Sequence, residues 1–184
     1  MARLSLALAV GGALAALLSA CSSDKENAGP CPNAFALHDA SRVVEFAQPG
    51  SEEYDNVTYT AEIQAVRRFC RYFDDEPIDL DVELEIGFGV GPAAPVRNHT
   101  YTLWVAVTRT DVAVLERVLI PIEVNFPRDE ARVFRLEEIP NIIIPRAEES
   151  TSGSNFEILV GFDVTPEQLE FNRLGKRFTL DAVQ

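Results

Sequence analysis

Four carboxylates at alternate positions form the densest cluster of chemically active side chains in this sequence. They are Asp79, Asp81, Glu83 and Glu85. In an extended strand these groups lie on one face at intervals of about 6.6–7 Å, a spacing that a calcium ion can bridge. A calcium site needs about six to eight oxygens from a turning loop, and the pattern of such a loop is absent here. We therefore expect a solvated sheet face, with Arg67, Arg68 and Arg71 as cross-strand partners.

A glycine-rich stretch over residues 87–91 superficially matches a loop that cradles phosphate. Such a loop opens a helix, whereas this one leads into Pro92 and Pro95, so we interpret it as a bulge or a close backbone approach. The sequence also lacks a G-x-S-x-G motif and CxxC spacing, and His38 lies far from His99. No catalytic residue, metal site or cofactor is predicted, and we expect a protein that is not an enzyme.

Trp104 is the only tryptophan, and it shares one face of a predicted strand with Thr102, Ala106 and Thr108. An exposed ring would offer a platform on which a sugar can stack. A ring covered by the second sheet or by a C-terminal helix would belong to the packing instead. We favour the covered ring, and the exposed one supports a glycan-binding or glycan-processing periplasmic protein as the alternative function.

The N-terminus has the order of a secretory signal peptide. Arg3 is followed by an uncharged run rich in Leu, Ala, Val and Gly that ends in Leu18-Ser19-Ala20-Cys21. This ending resembles the lipobox of bacterial lipoproteins. The resemblance implies that residues 1–20 are removed and that Cys21 receives the lipid that holds the protein at the membrane. A transmembrane anchor, or a plain secretory peptide with an accidental cysteine, remains the alternative.

Scattered motifs elsewhere are similar to uncharacterised envelope lipoproteins of Gram-negative bacteria. They are Asp39-Ala40-Ser41-Arg42, Val160-Gly161-Phe162 and Thr165-Pro166-Glu167-Gln168-Leu169. The resemblance implies a lipid-anchored envelope protein and supplies no activity. In the sorting pattern of that family, a residue other than Asp after the lipidated cysteine favours the outer membrane, facing the periplasm, and Ser22 stands there.

Two cysteines remain if Cys21 carries a lipid. Cys31 and Cys70 then form an even pair in an oxidising compartment, which predicts a disulfide. Closing a loop of about forty residues stabilises a fold by roughly 4 kcal/mol in the chain-entropy model. Two free thiols are the alternative.

Charge and length limit the partners and the number of domains. The chain has 184 residues with 29 acidic and 16 basic side chains, a net charge of −13, which argues against nucleic acid and against electrostatic attraction to anionic lipids. Residues 21–32 are polar and are interpreted as the lipidated cysteine and a flexible tether. Residues 33–184 have the size of a single domain.

Apolar and polar side chains alternate with the period of a β-strand along most of that domain. We predict strands at residues 42–46, 57–65, 78–90, 101–108, 111–126, 131–136 and 156–164. Pro121 indicates an edge strand or a bulge. Residues 34–40 are expected to form a short turn or helix, and Ile142–Ile144, between two prolines, an extended segment protected from pairing with other chains. The pattern predicts an all-β antiparallel sandwich of immunoglobulin-like type.

One short C-terminal helix is predicted from the capping pattern Thr165-Pro166-Glu167-Gln168, ending near Gly175. Apolar residues follow this start, and we predict that some of them bind an envelope protein partner. These residues are Leu169, Phe171, Leu174 and Phe178. The alternative is that they cap the core of their own sandwich. The predicted function is a non-enzymatic binding or assembly module, anchored to the membrane by lipid.

Overall fold

The computed structural model describes residues 29–110 and 112–178, which form two packed β-sheets and one short α-helix. The strands are β1 (Asn33–Ala36), β2 (Arg42–Phe46), β3 (Val57–Arg71), β4 (Ile78–Val90), β5 (Asn98–Arg109), β6 (Ala113–Asn125), β7 (Arg132–Ile144) and β8 (Phe156–Phe162). The α-helix, α1, spans Pro166–Arg173, and 3₁₀ turns lie at His38–Ala40, Tyr54–Asn56 and Gly153–Asn155.

Each sheet has four strands. The first sheet has the order β1-β8-β5-β6 and the second the order β2-β3-β4-β7. All neighbouring strands are antiparallel except β1, which lies parallel to β8. The predicted all-β sandwich with one short C-terminal helix is confirmed.

The alternation in β4 produces the centre of the core. Six of its side chains are at most 1% exposed: Ile78, Leu80, Val82, Leu84, Ile86 and Phe88. The first sheet contributes equally buried side chains to the same cluster, namely Leu103, Ile158, Val160 and Phe162. Each such side chain stabilises the fold by about 1.5–3 kcal/mol relative to an exposed one. The period of two therefore determines which face of each sheet becomes core.

The strand β7 is longer than predicted. Ile142–Ile144, expected to form an extended segment protected from pairing with other chains, are extended and pair with β4 of their own sheet. The register shifts between Leu80 and Val82, and Asn141 adopts a φ of 60° while its N–H donates to the Asp81 carboxylate at 3.0 Å. This bulge follows Pro140 and allows the strand to resume its ladder.

The start of the domain also differs from expectation. Residues 34–40 were predicted to be a turn or helix, but Asn33–Ala36 form strand β1, and only His38–Ala40 form a helical turn. A strand of four residues shows too few alternations to be recognised in sequence. The edge position of Pro121 is confirmed, because β6 is the last strand of its sheet.

Residues 29–32, assigned from sequence to the tether, pack against the domain. Pro32 is buried, and the Pro30 carbonyl accepts a hydrogen bond of 2.9 Å from the Tyr72 hydroxyl. That hydroxyl in turn accepts from the backbone N–H of Gly153 at 3.2 Å. The described part of the chain contains no helix with the length and apolar character needed to cross a membrane.

Candidate functional site

The helix α1 begins as its sequence predicts. The Thr165 hydroxyl accepts from the Gln168 N–H at 3.2 Å, and the Thr165 N–H donates to the Gln168 side chain at 2.8 Å, which completes a capping box. Hydrogen bonds from its own backbone N–H and from Thr165 lower the pKa of Glu167. The helix is followed by Gly175 at a φ of 71°, a conformation that ends helices and favours glycine.

Two amide side chains attach α1 to the edge strand β2. Gln168 donates to the Val44 carbonyl at 3.2 Å, and Asn172 donates to the carbonyls of Arg42 and Asp39 at 2.9 and 2.8 Å. The spacing of four residues places both amides on one helix face. These two residues were not singled out from sequence, although their i, i+4 spacing after a capping box was the available signal.

Aromatic packing accounts for two of the four residues predicted to bind a partner. Phe171 is only 7% exposed, and its ring lies 5.8 Å from Phe46 and 6.1 Å from Phe178. Both rings therefore pack within their own domain. Leu169 is half-buried, whereas Leu174 is 60% exposed. The structure thus leaves Leu174 as the most accessible member of the predicted set.

A groove of about 490 Å³ lies between α1 and the segment that follows β2. Its lining consists of Val44, Phe46, Gly50, Ser51, Glu52, Pro166, Glu167, Gln168, Glu170, Phe171 and Leu174. Apolar side chains form its walls, three glutamates contribute negative charge, and the lining contains no basic residue. Lys176 pairs with Glu52 beside the groove. The arrangement suits an apolar segment that carries positive charge.

The acidic ladder is largely balanced by neighbouring arginines. Arg67 bonds Glu83 at 2.7 Å and Glu85 at 3.3 Å, and Arg71 bonds Asp79 at 3.0 Å. The hydrogen bond to Glu83 is the main reason that the pKa of Arg67 is raised. Arg68 lies opposite Val82 in the register, on the other face of the sheet. Among the described residues, no three His, Cys, Asp or Glu side chains are grouped so that they could hold a metal ion.

Trp104 is not a platform for sugars. The residue is 9% exposed, and its indole N–H donates to the Phe162 carbonyl at 2.9 Å. Ala40 packs beside it, and a Cβ added at Gly161 would approach the ring to 2.6 Å, so that position requires glycine. The Arg117 guanidinium lies 5.2 Å from the ring centre. The ring is covered as favoured, but by a 3₁₀ turn rather than by the second sheet or α1.

Both histidines have structural partners. His99 stacks on Tyr59 at 4.0 Å and lies 3.2 Å from the Glu45 carboxylate. His38 bonds the neighbouring Asp39 at 3.0 Å. These contacts explain the two side chains as packing and surface groups.

The predicted disulfide is confirmed. Cys31 and Cys70 are bonded, with Cα atoms 5.8 Å apart and a sequence separation of 39. The bond connects Cys31, two residues before β1, to the end of β3, and therefore links the segment leading into the first sheet to the second sheet. Cys21, the predicted site of lipidation, lies outside the described residues.

The comparisons with known proteins provide no relative from which a site could be transferred. No family model matches the chain, and no curated protein or solved structure is significantly similar to it.

Proposed function

We propose that this chain is a lipid-anchored envelope protein that acts as a non-enzymatic binding or assembly module. The anchor part of the proposal is supported by the lipobox resemblance of Leu18-Ser19-Ala20-Cys21. Residues 29–32 are packed on the domain, so only residues 22–28 separate Cys21 from it, and seven residues span at most about 25 Å. Such a domain would work close to the membrane. The outer membrane, facing the periplasm, is favoured because Ser22 follows Cys21.

The single observation that carries the binding role is the groove beside α1. Leu174 is 60% exposed there, next to Phe46 and Phe171. An apolar floor with glutamates as its charged groups favours a protein segment in which apolar residues alternate with Lys or Arg. The occupant that we propose is such an apolar, basic segment of another envelope protein.

The alternative function, a glycan-binding or glycan-processing protein, depended on an exposed tryptophan ring and is not supported. Its platform was Trp104, which is buried and bonded to the backbone. Nucleic acid stays disfavoured as a partner because the net charge is −13.

Photo-crosslinking in intact cells tests the binding role. A photoreactive residue at position 174 is expected to give an adduct whose partner peptide is apolar and contains Lys or Arg. Position 143 is the matched control, because Ile143 is 53% exposed on the second sheet and lies outside the groove. Leu174→Asp should abolish binding of that peptide while leaving the melting temperature nearly unchanged, since exposed substitutions usually change stability by less than about 0.5 kcal/mol.

Equal adducts from positions 174 and 143, or an adduct with an acidic segment, would contradict the groove assignment. The anchor is tested separately with Cys21→Ser, which should block processing and move the protein out of the outer-membrane fraction. A Cys21→Ser protein that still matures and stays in that fraction would refute the lipobox.

A further inference from the structure

A small cavity lies on the outer face of the second sheet, next to the groove but with a different lining. Its volume is about 40 Å³. The lining includes backbone and side chains of Arg42, Thr60, Glu62, Gly87, Gly89, Arg132, Arg177 and Phe178. Gly87 and Gly89 pair with Glu62 and Thr60 of β3, so the centre of this sheet face has no side chains from β4. The glycine-rich stretch noted in the sequence therefore leaves space on the sheet, which the side chains of Phe134 and Gln64 partly fill above Gly87.

Arg42 is a buried cation that forms no ion pair among the described residues. The residue is 6% exposed, and its guanidinium donates one hydrogen bond of 3.3 Å, to the Asn172 carbonyl. The Nε atom is buried without a hydrogen-bond partner among the described residues. Glu62 lies directly opposite Arg42 in the register of β2 and β3, but its carboxylate pairs with Arg177 rather than with Arg42. Burying a charge in this way is costly unless an opposite charge and further hydrogen bonds accompany it.

Two further arginines line the same cavity. Arg132 is half-buried and lies over the Phe134 ring at 5.0 Å. Arg177 reaches Glu62 at 3.7 Å, which is a long ion pair that leaves donors available. Three guanidinium groups and one carboxylate give the cavity a net charge of about +2 by formal charges. This local charge is opposite in sign to the −13 of the whole chain.

We propose that this cavity binds a phosphate group, either as inorganic phosphate or as the phosphomonoester end of a small molecule. The planar guanidinium donates in a fork that matches phosphate oxygens, and three such groups line this cavity. The dianion matches the charge of +2, whereas a carboxylate would leave one positive charge uncompensated. A volume of about 40 Å³ admits one tetrahedral group, so the remainder of a larger ligand would lie outside.

The resonance of the Arg42 Nε–H group reports directly on the site. In ¹⁵N-edited NMR of the full-length protein, sodium phosphate is expected to shift this signal saturably, at constant ionic strength maintained with sodium chloride. If the site accepts a phosphomonoester, glycerol 3-phosphate should shift the signal as inorganic phosphate does. If the site accepts only inorganic phosphate, glycerol 3-phosphate should leave the signal unchanged. Sodium acetate should bind about tenfold or more weakly, because it carries a single charge.

Substitutions at the rim avoid the risk that a change of Arg42 prevents folding. Arg132→Gln and Arg177→Gln are each expected to raise the dissociation constant for phosphate about tenfold, through loss of one charge-assisted contact. Arg109→Gln is the matched control, since it removes one positive charge from an exposed position outside the cavity. Its affinity for phosphate should stay within about twofold of the unchanged protein.

Three results would overturn the assignment. The first is an Arg42 signal that responds to chloride as it does to phosphate. The second is equal weakening by Arg109→Gln and by the rim variants, which would indicate a general charge effect. The third is acetate binding as tightly as phosphate, which would exclude a site selective for the dianion.

Discussion

The side of the sandwich formed by the edge strands β1 and β2, here called the closed side, is covered by other parts of the chain. The opposite side, formed by β6 and β7 and called the open side, is not covered by any of the described residues. On the closed side, α1 bonds the carbonyls of β2 through Gln168 and Asn172. The disulfide of Cys31 fastens the chain there as well. The open side has neither a helix nor a covalent bond among the described residues.

Apolar residues remain accessible on the open side. Six of them are more than half exposed: Val114, Leu115, Leu119, Phe134, Leu136 and Ile143. Long apolar edges favour pairing with other chains, and proteins limit this with proline, charge and bulges. Pro121 has no N–H to donate, and the Arg135 side chain already bonds the outward carbonyl of Glu123 at 2.8 Å. Both sides have edge strands that could pair with other chains. Covering segments limit this pairing on the closed side, and blocked hydrogen bonds limit it on the open side.

Removing the disulfide should weaken the closed side most. Replacing both Cys31 and Cys70 with alanine is expected to lower the free energy of unfolding by about 4 kcal/mol, because the bond closes a loop of 39 residues in the unfolded chain. Urea unfolding with and without reductant measures this. A reduced protein with an unchanged midpoint would show that noncovalent contacts alone hold the closed side.

Separating α1 from β2 should have a smaller effect. Asn172→Ala removes two hydrogen bonds at a residue that is 1% exposed, and we expect a loss of about 2 kcal/mol. Glu170→Ala, in the same helix and without a bond to β2, is the control and should change stability by less than about 0.5 kcal/mol. If the two variants have the same melting temperature, α1 does not stabilise the edge strand that it covers.

Unblocking the open side should change association rather than stability. Pro121→Val combined with Arg135→Ala restores one N–H and frees the Glu123 carbonyl, so edge pairing between copies becomes available. Sedimentation velocity should then reveal concentration-dependent dimers while the monomer melts almost normally. Pro127→Val, in the loop after β6, is the control. A double variant that stays monomeric would mean that the exposed bulges and charges suffice to protect this side.

Low pH should slightly lower the stability contributed by contacts on the closed side. Hydrogen bonds from His38 and then Arg173 lower the pKa of Asp39 below its ordinary 3.8. A lowered folded-state pKa contributes stability above the ordinary value, and that contribution is lost as the pH falls through the lowered pKa. Asp39→Asn should therefore melt below the unchanged protein at neutral pH and converge with it in acid, with Asp129→Asn as the control. Parallel curves throughout the titration would contradict this role of Asp39.

Local patterns determined those features that depend on period and capping. The alternation of Ile78 with Asp79 along residues 78–90 predicts both the buried and the solvated face of β4, since no helix separates such faces. The capping box at Thr165 likewise predicts the first turn of α1, because its hydrogen bonds join residues three positions apart. Arg67, Arg68 and Arg71 were expected to be cross-strand partners of the acidic residues, and the structure pairs Arg67 and Arg71 with them.

Other features could not be predicted from local sequence patterns, because they depend on contacts between residues that are far apart in sequence. The continuation of β7 through Ile142–Ile144 was not predicted, since the bulge at Asn141 relies on the Asp81 carboxylate of another strand. Nothing local in the sequence indicates that Asn172 bonds a carbonyl 130 positions earlier. Sequence reasoning favoured a covered Trp104, but that the turn at Ala40 covers it depends on residues distant in sequence.

The sequence by itself determined the class of fold, the disulfide pair and the start of the helix, because these follow from short periods, from residue counting and from hydrogen bonds within one turn. Only the tertiary structure decided which edges are covered and which exposed residues share a surface. It alone brought Arg42, Arg132 and Arg177 around one cavity. Packing of strands distant in sequence sets these distances, and no local pattern of side chains encodes them.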